Sequence, residues 1–250
     1  MATHSRLAAL RGEPSYVWRA GQQRRLEMIA TWGRLTQDAR VLVAGCGNGA
    51  YSGQLRRRYT PHVEAFDIEA ERVAEAQPET PNALVAAAES LPYPDNTFDL
   101  ILSHEVIEHV ANDYQSAREM VRVLRVGGRV VLFAPNRWYP FETHGHYWRG
   151  TYHFGNTPLI NYLPNALRDR LAPHVRAYTA VSIRRLFSGT PHRVVHHSRV
   201  FGGYDNLIAR AGGPAQQVRD LLYRFENTPA DVVGLSHLLV IEKTAARLHP

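Results

Sequence analysis

Residues 41–49, Val-Leu-Val-Ala-Gly-Cys-Gly-Asn-Gly, constrain this chain more than any other stretch. An apolar run leads into three alternating glycines, Gly45, Gly47 and Gly49, and a helical stretch follows from Ala50. Glycine has no Cβ and tolerates positive φ, so such a turn lets backbone approach a ligand closely. The helix behind it offers unpaired N–H groups to whatever sits at the turn. In a parallel α/β sheet that place is the carboxyl edge, where nucleotide-like cofactors bind.

The pattern around the turn supports such a sheet. Strands are predicted at 40–44, 63–67, 83–87, 98–103 and 129–134, with helices at 50–58, 69–76 and 112–125 between them. Gly127-Gly128 is expected to stop the last of these helices. A further helix is predicted over 14–35, with Pro14 in its first turn and Leu26, Ile29, Trp32 and Leu35 at helical spacing. Beyond residue 177 the pattern gives a helix at 181–187, strands at 193–200 and 237–242, and an amphipathic helix at 214–225. The fold class is therefore α/β, doubly wound around a mostly parallel, Rossmann-like sheet. Residues 1–39 form an N-terminal helical segment and 40–250 the main domain.

From Pro135 this rhythm breaks. Residues 136–177 are rich in proline and hold eight of the chain's aromatic residues between Trp138 and Tyr162. Long elaborations inside compact domains are usually binding loops or disordered. The aromatic content favours a cap over the site, enclosing a small or lipid-like acceptor.

Composition narrows the classes further. The chain has 250 residues, 44% hydrophobic and 21% charged, as in ordinary globular proteins. No apolar run is long enough for a membrane span, and Cys46 has no partner for an internal disulfide. A cytoplasmic location is the expectation. The net charge of +6 comes from scattered arginines, with Lys243 the single lysine, so nucleic acid is an unlikely partner.

The glycine turn by itself leaves the cofactor open. Read as Gly45-x-Gly47-x-x-Ala50 it satisfies the dinucleotide fingerprint, and Asp67, ending the next strand, suits a ribose diol in either cofactor class. Residues 87–99, Ala-Ala-Glu-Ser-Leu-Pro-Tyr-Pro-Asp-Asn-Thr-Phe-Asp, and 103–110, Ser-His-Glu-Val-Ile-Glu-His-Val, add what the turn lacks. With the turn, they resemble the class I S-adenosylmethionine-dependent methyltransferases, in particular the methyltransferase-11 type that includes quinone-biosynthesis enzymes. The resemblance covers roughly residues 40–135 and the last two strands. It implies a seven-stranded sheet with the last strand antiparallel, and S-adenosylmethionine as cofactor. Gly45, Gly47 and Gly49 would pass beneath its methionine part, Asp67 would hold the ribose hydroxyls, and Ile68 would pack on adenine. Ala88 and Glu89 would edge the adenine, and Ser103 and His104 would line the sulfonium side. Val43 and Ala87 depart from the family, which usually carries acidic residues at both positions.

Two clusters suit the transfer chemistry. Glu105, Glu108 and His109 resemble the divalent-metal site of certain O-methyltransferases, which implies Mg2+ or Mn2+; the same spacing occurs in relatives where Glu and His only cap the turn. The spacing of His104, Glu105 and His109 does not make a zincin motif. Glu142, His144 and His146 alternate in the cap, so an extended strand would point them to one side, completing the metal site or supplying a base. The catalytic candidates are His109, His144 and His146, and Tyr16 and Arg19 are candidates to fold over the cofactor. The expected activity is methyl transfer, with oxygen preferred as acceptor. The rivals are an NAD(P)-dependent oxidoreductase, for which no hydride-transfer constellation is visible, and a non-catalytic cofactor-binding relative.

Overall fold

Alternating apolar residues in the strands bury both faces of one sheet. In a computed structural model, which describes residues 17–245, seven strands pair in the order β10-β11-β5-β4-β1-β2-β3. In chain order the first half comprises α1 (Ala20–Gly33), β1 (Val41–Ala44), α2 (Ala50–Arg58), β2 (Val63–Asp67), α3 (Ala70–Ala76) and β3 (Ala83–Val85). It continues with β4 (Phe98–His104), α4 (Asp113–Val123) and β5 (Leu124–Pro135). Strands β1 to β5 are mutually parallel, whereas β11 (Ser236–Lys243) runs antiparallel to both β5 and β10 (His192–Val200).

Period-two alternation sorts the core into two layers. Val41, Val43, Leu100, Leu102, Val131 and Phe133 face Leu26 and Ile29 of α1, Leu55 of α2 and Val73 of α3. Leu42, Ala44, Ile101, Val130 and Leu132 face Ala117, Met120 and Val121 of α4, and Ile183 of α6 (Ala180–Arg185). All five parallel strands consequently end at one edge, and the glycine turn opens there.

Helix α4 ends earlier than its glycines predict. It stops at Val123, and Leu124 pairs with Phe98 at once. The helix-ending carbonyls are already taken: Asn96 N–H donates to Arg122 O and Thr97 N–H to Val123 O. Lys243, the lone lysine, donates from Nζ to the carbonyls of Arg122 and Leu124. Gly127, at φ +81°, instead serves the irregularity where β5 shifts register against β4. Within the described residues α1 begins at Ala20, not near Pro14; Pro14 and Tyr16 lie outside those residues.

The segment after β5 is more regular than its composition implies. Strands β6 (Phe141–Glu142) and β9 (Thr157–Pro158) pair, and inside them β7 (His146–Trp148) pairs with β8 (Thr151–His153). A short helix, α5 (Asn165–Leu171), follows. Both ends of the excursion meet at the sheet edge, where Asn136 bridges Tyr178. The Asn136 side chain donates to the carbonyls of Val232 and Gly234, which fixes that junction. A second excursion between β10 and β11 carries α7 (Asp205–Ala211) and α8 (Gly213–Arg224). Among the described residues, no helix is long and apolar enough to cross a membrane.

Candidate active site

A cavity of about 830 Å³ opens at the carboxyl edge, a size suited to a cofactor and a small second ligand. Gly45, Cys46, Gly47, Asn48 and Ala50 form its floor, while Gly49, expected beneath the cofactor, lies outside it with its Cβ position against Ala76. Gly45, Gly47 and Gly49 have φ of +63°, +52° and +80°, where side chains are strained. A Cβ on Gly45 would also lie 2.5 Å from Val106 Cγ2, so this position is closed to other residues. Cys46 N–H donates to Phe66 O, which anchors the turn to β2.

Asp67 sits beside the turn at the end of β2. One carboxylate oxygen accepts from Gly47 N–H at 3.0 Å and the other from Glu69 N–H at 3.1 Å. The carboxylate thus shapes the turn, and each oxygen keeps acceptor capacity for a further donor. Ile68, half exposed, lines the cavity next to it, as do Ala88 and Glu89 on the loop after β3. The Glu89 carboxylate is turned towards the start of α4, where Oε1 accepts from Asn112 N–H at 2.9 Å.

Val43, where the family usually has an acid, is packed in the core with Leu102 and Phe133. Ser103 and His104 separate, because adjacent residues of a strand point to opposite faces. His104 lines the cavity. Ser103 is fully buried in register with Ala44 and Leu132, and it is not part of the cavity wall. The expected place of Ser103 at the sulfonium side is therefore corrected.

His104 Nε2 lies 2.8 Å from Arg25 Nη1, so that nitrogen is the acceptor and the ring is neutral. Burial, with the Arg25 charge adding to it, pushes its pKa down to about 3. Arg25 also donates to Glu105 Oε1 at 3.0 Å and Ser236 Oγ at 3.1 Å. Burial alone would raise the Glu105 carboxyl; the Arg25 charge and the Ser236 hydroxyl outweigh it and hold the pKa at about 2.

The expected set Glu105, Glu108 and His109 does not gather as one ligand group. Residues 105–110 form a turn rather than a helix, and Glu105 is left-handed at φ +55°. Its carboxylate is drawn to Arg25 and Ser236. The group that does gather is Glu108, His109 and His144, with one donor atom from each within 4.8 Å of the others. Glu108 Oε1 is 3.9 Å from His109 Nε2 and 4.0 Å from His144 Nε2.

The surroundings of this trio orient it. His109 Nδ1 is 3.2 Å from the His174 carbonyl, and His144 Nδ1 is 3.1 Å from Glu142 Oε1. Each Nδ1–H is thereby engaged, which leaves each Nε2 as an acceptor turned towards Glu108. Glu142 is held in turn by Arg168 at 2.9 Å. Burial pushes the His109 pKa down to about 4, and the nearby His144 adds to this. The Glu108 side chain is wholly buried, and neither oxygen has a hydrogen-bond partner. Burial, joined by the charge of Glu105, raises its pKa well above the usual carboxylate range.

His146 is not brought to the site. Gly145, at φ +80°, breaks the alternation that was to align it with His144. His146 packs against His153 and Thr157 instead and does not line the cavity. Arg19 does not line the cavity, and Tyr16 lies outside the described residues. Two contributors escaped the sequence reading. Arg25 comes from the N-terminal helix, and its only signal is a position on the same face as Ile29. His174 acts partly through its backbone, which carries no side-chain signature.

Comparison with known proteins agrees with the fold. A family model described as a methyltransferase domain matches residues 42–132. A probable S-adenosylmethionine-dependent methyltransferase of Mycobacterium tuberculosis is 36% identical over 99 residues, 39% of this chain and 36% of that protein. A malonyl-[acyl-carrier protein] O-methyltransferase of Erwinia billingiae is 35% identical over 130 residues, 49% of each chain. The chain thus spans between a third and a half of the length of these relatives. An S-adenosylmethionine-dependent methyltransferase from Mesorhizobium loti superposes with a TM-score of 0.63 at 17% identity, over 90% of this chain and 98% of that one. Residues 42–132 thus match a methyltransferase domain, and the chain as a whole shares its fold with a solved S-adenosylmethionine-dependent methyltransferase.

Proposed function

We propose that the chain transfers a methyl group from S-adenosylmethionine to an oxygen of a small or lipid-like acceptor held beneath residues 136–177. The observation that carries the reading is one cavity shared by the glycine turn, Asp67, His109 and His144. In this reading Asp67 accepts from the ribose hydroxyls, and Ile68, Ala88 and Glu89 border the adenine. His104 lines the sulfonium side, and His109 and His144 meet the acceptor. Oxygen is favoured because a hydroxyl must lose a proton on methylation, and the trio is built from groups that manage protons. The O-methylating relative from Erwinia billingiae agrees with that preference.

Glu108, His109 and His144 fit a divalent cation. A buried carboxylate with two unpartnered oxygens is costly as an anion, and a cation would offset that cost. The paired imidazoles beside it have their Nδ1 atoms engaged, as metal-ligating histidines do. One carboxylate and two imidazoles suit manganese better than magnesium. Such an ion would lower the pKa of an acceptor hydroxyl. The protein's own residues then orient the acceptor; of the eight aromatic residues between Trp138 and Tyr162 that were expected to cap it, Phe154 alone lines the cavity, and it is largely exposed.

Activity on phenolic and carboxylic acceptors, followed with labelled S-adenosylmethionine, is expected to fall with a chelator and return with manganese. Cofactor affinity is expected to stay unchanged in the chelator. Undiminished turnover there would remove the ion from the account and leave His109 as the base.

A further inference from the structure

Residues 136–177 contain a buried ion pair that does not line the cavity. Glu142 and Arg168 are 3% and 2% exposed, and both stand behind the cavity wall. Both also fall outside residues 42–132, so the family match does not account for them. Arg168, on α5, donates from Nη2 to Glu142 Oε2 at 2.9 Å. Its other nitrogens are engaged too, Nη1 with the Val175 carbonyl at 2.9 Å and Nε with Asn161 Oδ1 at 3.3 Å. Asn161 in turn donates to the carbonyls of Tyr139 and Phe141. Such a pair is weak evidence for stability, because desolvation offsets most of the attraction between its charges.

What the pair does hold is one side of His144. Glu142 Oε1 accepts from the His144 backbone N–H at 3.0 Å and lies 3.1 Å from its Nδ1. A carboxylate kept ionised by Arg168 can only accept, so Nδ1 carries the ring proton. Thr143 Oγ1 also faces that nitrogen, at 3.4 Å, but a hydroxyl donates or accepts and so selects neither tautomer. The His144 carbonyl accepts from Tyr152 Oη and His174 Nε2, which fixes the backbone as well. The consequence falls on the other side of the ring, where bare Nε2 is 4.0 Å from Glu108 Oε1. The opposite tautomer would aim an N–H there and leave no lone pair for a cation or a proton. His109 receives the same setting from the His174 carbonyl, which needs no side chain to supply it.

We propose that Arg168 is a positioning residue: through Glu142 it holds His144 as the Nδ1–H tautomer, with Nε2 free to act in the cavity. The effect on turnover rests on the proposed methyl transfer. The tautomer does not, and it is read separately.

Heteronuclear NMR of the imidazole nitrogens in the metal-free full chain tests this, in mildly alkaline buffer with His144→Gln assigning the signal. Arg168→Met alone strands the Glu142 charge, so the deciding variants change both residues. Glu142→Leu/Arg168→Met removes both charges, a replacement that is often neutral for stability. It is expected to show His144 Nε2–H and to lose roughly ten- to a hundredfold in turnover and in manganese affinity. Its affinity for S-adenosylhomocysteine should match wild type. Glu142→Gln/Arg168→Met returns one acceptor oxygen and should restore Nδ1–H and most of the lost turnover. Nδ1–H persisting in Glu142→Leu/Arg168→Met, or turnover lost there with no change of tautomer, overturns the proposal, as does Nε2–H in the wild type. If the tautomer switches as expected but S-adenosylhomocysteine does not bind the wild type, the methyltransferase reading fails and the positioning role stands.

Discussion

Glu108→Gln is expected to lower turnover by roughly 10²- to 10⁴-fold, the usual worth of a positioned acid–base group or its equivalent. The substitution keeps the shape and removes the charge. Glu108 is wholly buried, its two oxygens lack partners, and two imidazole Nε2 atoms lie 3.9 and 4.0 Å from Oε1. Such an arrangement is poor as a stabilising device, because an unpartnered buried carboxylate costs free energy. The melting temperature of the metal-free variant is therefore expected to hold or rise while activity falls. A merely structural glutamate would show the opposite pair of results. S-adenosylhomocysteine affinity should not change, since Glu108 is not part of the proposed cofactor contacts. Turnover within about threefold of wild type, against an expected loss of at least ~10²-fold, would remove Glu108 from the chemistry.

Asp67→Ala is expected to weaken S-adenosylhomocysteine binding by about 1.5–3 kcal/mol, the range for hydrogen bonds to a charged group. Methylthioadenosine should weaken alongside it, because both probes carry the ribose. Part of the effect will be indirect. Asp67 also accepts the N–H groups of Gly47 and Glu69, so its removal loosens the turn on which the cofactor rests. Asp67→Asn keeps an acceptor oxygen for one of these amides and turns an NH2 towards the other, so it separates the two contributions only in part. Unchanged affinity for both probes in a folded Asp67→Ala protein would make Asp67 a strand-end cap and nothing more.

The regular part of the fold was legible because local and global preferences agree there. Helix α2 and strand β2 have the predicted bounds, since glycine, apolar alternation and terminal arginines all mark the same limits. The end of α4 was missed because a distant residue decides it: Lys243 and the loop before β4 take the last carbonyls before Gly127 is reached. Ser103 needed only strict strand alternation to be placed on the face opposite His104. Glu105 and His146 needed more. Each depends on a single left-handed residue, Glu105 itself and Gly145, which turns the chain where regular spacing was assumed. Helical spacing for one cluster and strand alternation for the other both assumed regular backbone where the chain turns. Arg25 and the His174 carbonyl come from elements far from the motifs, and only folding brings them to the cavity.

The central claim is that the cavity at the glycine turn holds S-adenosylmethionine. Titrating the full chain with S-adenosylhomocysteine and, separately, with NADH tests it most directly, because Asp67 and the glycine spacing are compatible with either cofactor class. The account predicts saturable binding of S-adenosylhomocysteine at one site per chain and none of NADH. Saturable NADH binding with S-adenosylhomocysteine inert would contradict it.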